Sequence, residues 1–212
     1  MEFIDLKSWP RREIYEFFSG VSQPFYFLSF ETDVTALRRY TRREGLSFYY
    51  AMVWVLTRAV NSVPAFLLAL RDGRLVRLDR RCPSFTDLKP DTECFHIVTL
   101  DIGDSLTDYC RMARAQSMAQ SCFIDASKES DGLIYLSCLP WLELTCITNE
   151  RDFDPDDSVP RISWGKYRER DGRTLLNLSL EVNHRFIDGV HAGQLAQAIA
   201  RELAALSPET KK

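Results

Sequence analysis

The chain has 212 residues, 45% of them apolar and 27% charged, with a formal net charge of −3. That is enough chain for one substantial buried core, and the balance excludes a disordered or fibrous protein. Lysine and arginine are spread along the chain rather than gathered into a basic patch, so no nucleic-acid partner is expected. The most apolar short run, Tyr49 to Leu56, is too short to cross a bilayer, so no membrane partner is expected either.

In chain order, Phe3–Leu6 reads as a short β segment. Ser8 is placed to cap a helix over Pro10–Phe18, with the proline in its first turn. Aromatic-rich Phe25–Thr32 predicts a strand. Asp33-Val-Thr35 then opens a helix that runs through Arg42 and ends near Gly45. A longer helix follows from Ser47 to about Val63, stopped near Pro64, with Phe48, Met52, Val55, Leu56 and Ala59 on one face. Leu67–Leu70 and Arg74–Leu78 flank Asp72-Gly73 as a hairpin. Strands are predicted near Ser84–Asp87 and His96–Asp101, then a helix over Asp104–Met118 with Leu106, Tyr109, Cys110 and Ala113 on one face. Cys122–Asp131 reads as a loop. Ile134–Cys138 and Leu142–Ile147 read as strands interrupted at Pro140. Ile162–Arg168 and Arg173–Val182 read as hairpin arms around Asp171-Gly172, and Val190–Leu206 as an amphipathic helix. Strands dispersed among helices predict an α/β fold with a mixed sheet in a two-layer sandwich. Residues 1–206 are read as a single domain and 207–212 as a frayed tail.

The N-terminus carries an acid at position 2 and no signal-peptide layout, so a cytoplasmic protein is expected. Six cysteines (82, 94, 110, 122, 138 and 146) lack any Cys-x-x-Cys pair and are expected to be reduced thiols. They share no metal-ligand spacing with the three histidines, so no metal site is expected. No glycine-rich nucleotide fingerprint is present.

Chemistry concentrates in Asn183-His-Arg-Phe-Ile-Asp-Gly189. An imidazole at a strand end, followed by a short turn, an acid and a glycine before a helix, is well placed to act as a base near pH 7. The heptapeptide resembles the His-x-x-x-Asp-Gly motif of CoA-dependent acyltransferases, shared by chloramphenicol acetyltransferases and dihydrolipoamide acyltransferases. The resemblance to the first family extends over nearly the whole chain. It rests on Trp9-Pro-Arg-Arg-Glu13, Asp33-Val-Thr35, Asp72-Gly-Arg-Leu-Val76, Ser137-Cys-Leu-Pro-Trp141, Gly165-Lys-Tyr167 and Asn183–Gly189, in family order and spacing.

What the resemblance implies is transfer of an acetyl group from acetyl-CoA to a hydroxyl of a small hydrophobic acceptor, chloramphenicol being one candidate, with no covalent acyl-enzyme. His184 would be the general base and Ser137 the donor to the tetrahedral oxyanion. Asp188 would pair with Arg11, or failing that Arg12, to hold the histidine loop. Asn183 stands where a first, non-catalytic histidine is common. Trp141, Lys166, Tyr167 and Ser163 would serve the cofactor, Ser163 replacing a usual threonine. Ser47 stands where relatives often carry a lysine, so the resemblance implies that one phosphate contact is either missing or replaced by Arg42 or Arg43. Phe17, Phe18, Tyr26, Phe95, Ile97, Phe123 and Ile147 would line the acceptor pocket. Tyr135, Ile147, Asn149 and Arg161 depart from the family pattern there, the last two by introducing polarity. The family assembles as a homotrimer with active sites at subunit boundaries. Two other readings stay open: a dihydrolipoamide-type acyltransferase core, and a non-catalytic, ligand-binding descendant.

Overall fold

The fold is described from a computed structural model covering residues 1–152 and 154–206; the tail expected at 207–212 lies outside the described residues. The main sheet runs β2 (Phe25–Asp33), β10 (Arg173–Asn183), β8 (Arg161–Gly165), β7 (Leu133–Leu139), β5 (Cys82–Leu88) and β6 (Phe95–Thr99), with β9 (Arg168–Arg170) paired to the start of β10. Strand β7 is parallel to both β5 and β8, and the other pairings are antiparallel. The sheet is therefore mixed, as expected. A small second sheet joins β1 (Glu2–Phe3), β4 (Arg74–Arg77) and β3 (Leu68–Arg71).

Period-2 alternation divides the main sheet into two faces. Phe85, Val98, Leu136, Ile162, Trp164, Leu178, Leu180 and Val182 enter the core. They pack with α3 (Phe48–Asn61), α4 (Leu106–Ala119) and α5 (Gly189–Ala204); α2 (Thr35–Glu44) lies against α3, and the short α1 (Arg12–Ser19) buries no residue. Helix α3 is apolar almost all round, the pattern of a helix enclosed by protein, and Tyr50 through Thr57 are all buried. The two Asp-Gly turns predicted from sequence hold positive φ at both central residues, 52° and 69° at Asp72-Gly73 and 52° and 74° at Asp171-Gly172. This backbone matches the twist of antiparallel strands.

Three local expectations are corrected. Leu142–Ile147 forms no strand. Its backbone crosses β10 and bonds to side chains: the Ile147 N–H donates to Ser179 Oγ (2.9 Å), and Asn177 Nδ2 donates to the Leu144 carbonyl (2.9 Å). Strand β10 is already paired on both edges, with β2 and with β8, so no ladder was open to a further strand. Ser8 does not cap α1; its hydroxyl donates to Asp5, and the helix begins at Arg12 after a turn that holds Pro10. The first arm expected at Ile162–Arg168 is split into β8 and β9 at Lys166-Tyr167. A Cβ on Gly165 would lie 2.4 Å from the Leu142 carbonyl oxygen, so only glycine lets the two segments approach.

Arg81 ties the two sheets together. It is 0% exposed, and all five of its N–H donors meet carbonyls, those of Phe66, Leu68, Asp131, Leu133 and Ser158. Burial pulls its pKa down to about 10, so it remains a cation held by carbonyl dipoles. Replacing Arg81 with methionine strands those acceptors, each costing about 1–3 kcal/mol when left unpaired and buried. The expected loss of at least about 3 kcal/mol is read from the urea unfolding midpoint; an unmoved midpoint contradicts the role.

Candidate active site

Strand β10 ends at Asn183, and every residue of the next turn has a separate task. Asn183 Nδ2 donates to the carbonyls of Pro155 (2.8 Å) and Asp157 (3.0 Å), while its Oδ1 accepts the Arg185 N–H (3.1 Å). Arg185 is buried and reaches Asp156 Oδ1 (3.0 Å) and the Pro155 carbonyl. Phe186 and Ile187 plug the core. Asp188 caps α5: its Oδ1 accepts the Val190 N–H (3.1 Å) and its Oδ2 accepts from Arg11 Nη1 (2.8 Å). The sequence-based pairing of Asp188 with Arg11, rather than Arg12, is the one formed; Arg12 instead meets Glu16.

His184 is left between these anchors. Its N–H donates to the Pro24 carbonyl (2.7 Å), and its ring is stacked between Phe18 (4.0 Å between centroids) and Tyr26 (4.5 Å). The ring is half-buried. Burial lowers its pKa, Asp188 opposes that, and Arg11 adds to it, leaving the imidazole neutral below the ordinary histidine value. Burial disfavours ionisation of Asp188, but the Arg11 hydrogen bond and charge outweigh it and hold the carboxyl below its usual range. A neutral imidazole wedged between aromatic faces can accept a proton but cannot swing away.

Ser137 lies elsewhere. On β7 its hydroxyl shares a hydrogen bond with Thr86 Oγ1 (3.1 Å). Ser137 pairs with Ser163 on β8, which pairs with Ser179 on β10. His184 stands five residues beyond Ser179. At about 3.4 Å per residue along a strand and about 4.8 Å between strands, Ser137 and His184 are separated by roughly 20 Å within one chain.

The acceptor-side residues divide the same way. Phe17, Phe18 and Tyr26 belong to the His184 end, with Phe17 70% exposed and edge-on to Phe18. Phe95 and Phe123 form an exposed edge-to-face pair 5.4 Å apart, and the Ile97 N–H donates to the Phe123 carbonyl (2.7 Å). Ile97 pairs with Thr86, so this group belongs to the Ser137 end. Ile147 is half-buried on the loop crossing β10.

The two polar departures from the family pattern, Asn149 and Arg161, each find their own partners on the Ser137 face. Asn149 Nδ2 donates to Ser163 Oγ (3.0 Å) and Glu181 Oε1 (2.8 Å). Arg161 bonds Asp157 (2.9 Å) and lies over the Tyr135 ring. Ser163 is 1% exposed and its hydroxyl is already engaged by Asn149.

Lys166 and Tyr167, with Glu143, Arg168, Glu169 and Arg170, line a cavity of about 670 Å³. The Lys166 N–H donates to the Leu142 carbonyl (2.6 Å), which brings 70%-exposed Trp141 and its loop toward this region. Tyr167 is packed by the Phe48 ring and the Arg38 guanidinium. Beside Ser47, a second cavity of about 530 Å³ is lined by Arg111 and Arg114. Neither Arg42 nor Arg43 lines it; Arg43 pairs with Glu44 and stacks on Tyr40. Burial pushes the Cys138 thiol up to about 12, so the neighbour of Ser137 is unreactive. Among the described residues, no group of three or more side chains could hold a metal ion, and no helix is long and apolar enough to cross a membrane.

Sequence reading missed Arg185, Arg38 and His191. The first two show their roles only through long-range contacts. His191 carried a local signal, standing at the third helical position after the Asp188 cap, where a reciprocal capping partner sits.

This architecture has close counterparts among CoA-dependent acyltransferases. A solved chloramphenicol acetyltransferase superposes with a TM-score of 0.87 at 24% identity, covering 96% of this chain and all of the other. A probable dihydrolipoamide acetyltransferase from Listeria monocytogenes superposes at 0.66 with 16% identity, covering 96% of this chain and 95% of the other. The family model for chloramphenicol acetyltransferase matches residues 1–200. Chloramphenicol acetyltransferase 2 of Escherichia coli is 27% identical over 200 residues, 92% of this chain and 93% of the relative. The enzyme of Streptomyces acrimycini is 30% identical over 206 residues, 95% and 93% respectively. The chain belongs to the chloramphenicol acetyltransferase family and is an acetyl-CoA-dependent acyltransferase.

Because burial lowers the His184 pKa, the acid limb of kcat/KM is expected to have its midpoint below the ordinary histidine value of 6.5. A pH–rate profile checks this. Folding stability carries a related sign: the unfolded chain takes up the proton first, so stability falls as pH drops below that value.

Proposed function

We propose that the protein moves the acetyl group of acetyl-CoA to a hydroxyl of a small hydrophobic acceptor, with chloramphenicol a candidate, in sites each built from two chains of a homotrimer. The observation that carries this reading is the roughly 20 Å between His184 and Ser137 within one chain, together with the matching division of the acceptor-side aromatics. A base and an oxyanion donor must act on atoms of one transition state, so the two residues must come from neighbouring copies.

In this reading His184 takes the proton of the acceptor hydroxyl as its oxygen attacks the thioester carbonyl. The new C–O bond produces a tetrahedral oxyanion, to which Ser137 Oγ–H donates. Collapse breaks the C–S bond, and the imidazolium returns its proton to the departing CoA sulfur. Arg11 and Asp188 act by holding the base. Trp141, Lys166 and Tyr167 receive the nucleotide end of CoA, where an aromatic surface and a cation suit adenine and phosphate. A cytoplasmic location belongs to the same reading, which the six unpaired cysteines support.

His184→Ala is expected to abolish turnover while calorimetry still detects CoA binding. Ser137→Ala is expected to lower kcat by roughly 10²–10³, the usual cost of losing one oxyanion donor. The two inactive variants, refolded together in equal amounts, should regain about a quarter of the unmodified activity, since random mixing leaves that share of sites with one intact residue from each chain. No recovery sinks the shared-site reading. Turnover of dihydrolipoamide in preference to any alcohol would redirect the assignment of the acceptor.

A further inference from the structure

The N-terminus of α5 carries a histidine with no part in the chemistry described above. The side chain of His191 is 12% exposed, with its Nδ1 3.2 Å from the Asp188 backbone nitrogen and 3.1 Å from Asp188 Oδ1. One ring nitrogen cannot serve both. A neutral imidazole protonated on Nε2 accepts the Asp188 N–H, completing a reciprocal capping box with the Asp188 carboxylate. An imidazolium presents a proton at Nδ1 instead. That proton opposes the Asp188 N–H and turns to Oδ1, the oxygen that the Val190 N–H already uses.

We propose that His191 is a positioning residue for the catalytic base, holding the turn from Asn183 to Gly189 through the Asp188 N–H only while its ring is neutral. The inference rests on the reading of His184 as the base. Asp188 is the shared element, since it caps α5, receives Arg11 from the segment before α1, and stands four residues after His184. Losing the N–H contact lets the cap rotate, and the Arg11 pair and the imidazole four residues back move with it.

The charged groups that face His191 are Arg11 and Asp188. Burial lowers its pKa first, Arg11 adds to that, and the Asp188 charge and hydrogen bond oppose it. The ring is therefore neutral at pH 7 and takes up its proton only below the ordinary histidine value, as does His184. Two neutral histidines are then required, one to accept the proton and one to keep that base in place.

The test combines an activity arm with a spectroscopic one. With acetyl-CoA and the best acceptor from an alcohol panel, log kcat/KM of the unmodified enzyme should fall at low pH with a slope approaching two. His191→Gln, whose amide oxygen accepts the same N–H without titrating, should return the slope to one. His191→Ala should lower kcat at all pH values by up to roughly 10²-fold, the scale of a 1 Å misplacement, with KM for acetyl-CoA little changed. Glutamine should recover most of what alanine loses. Independently of turnover, the Asp188 amide in a ¹H–¹⁵N spectrum should titrate together with the His191 ring and stop doing so in His191→Gln. An Asp188 amide that ignores the His191 titration overturns the proposal. So does a one-proton acid limb shared by the unmodified enzyme and His191→Gln. If no hydroxyl compound is acetylated at any pH, the assigned reaction fails, and the amide titration still decides the role of His191.

Discussion

Strand β10 is hydrogen-bonded along both edges, and that saturation governs where its neighbours can go. With β2 on one side and β8 on the other, no ladder remains for the 142–149 segment, which must satisfy its backbone on the side chains of Asn177, Ser179 and Glu181. The loop therefore lies across the sheet face that the helices leave uncovered. It covers Ser163 and Ser179 but leaves Ser137 half-exposed on the next strand. The same strand also points its C-terminal end at the His184 turn, so one pairing pattern sets the positions of both His184 and Ser137.

The His184 turn holds its imidazole by restraint rather than by a direct acid partner. Asp188 is spent on α5 and Arg11, so it reaches the imidazole only as a modest field across the turn. Two aromatic faces and a backbone bond to Pro24 fix the ring instead. Burial keeps it neutral, which is the state a general base needs. Restraint of this kind trades reach for precision: a fixed imidazole can serve only a substrate delivered to it. The division of the predicted site residues between two ends of the sheet is what supports the proposal that neighbouring copies share a site.

On the Ser137 side, Asn149 and Arg161, the polar departures already visible in the sequence, find partners within the chain. Asn149 donates to Glu181 Oε1 through both its backbone and its side chain, and Arg161 pairs with Asp157. Phe95 and Phe123 stay exposed on the same face, with Ile97 and Tyr135 half-buried beside them.

Local chemistry made much of this legible beforehand. The Asp-Gly turns, the enclosed α3 helix and the strand leading to His184 each follow from short-range rules of sterics and burial, and His184 stands out by its place at a strand end, whereas Ser137 and Asp188 are singled out only through the family resemblance. The missed features share another cause. Leu142–Ile147 has the composition of a strand, and only the occupied edges of β10 deny it a partner. Arg81, Arg38 and Arg185 look like surface residues until distant carbonyls, rings and loops close around them. Residue types and spacings are enough to specify which groups can do chemistry, because reactivity begins with the side chain. Which of those groups meet is a matter of strand register and chain crossing, which depend on contacts between residues far apart in the chain and arise only when it folds.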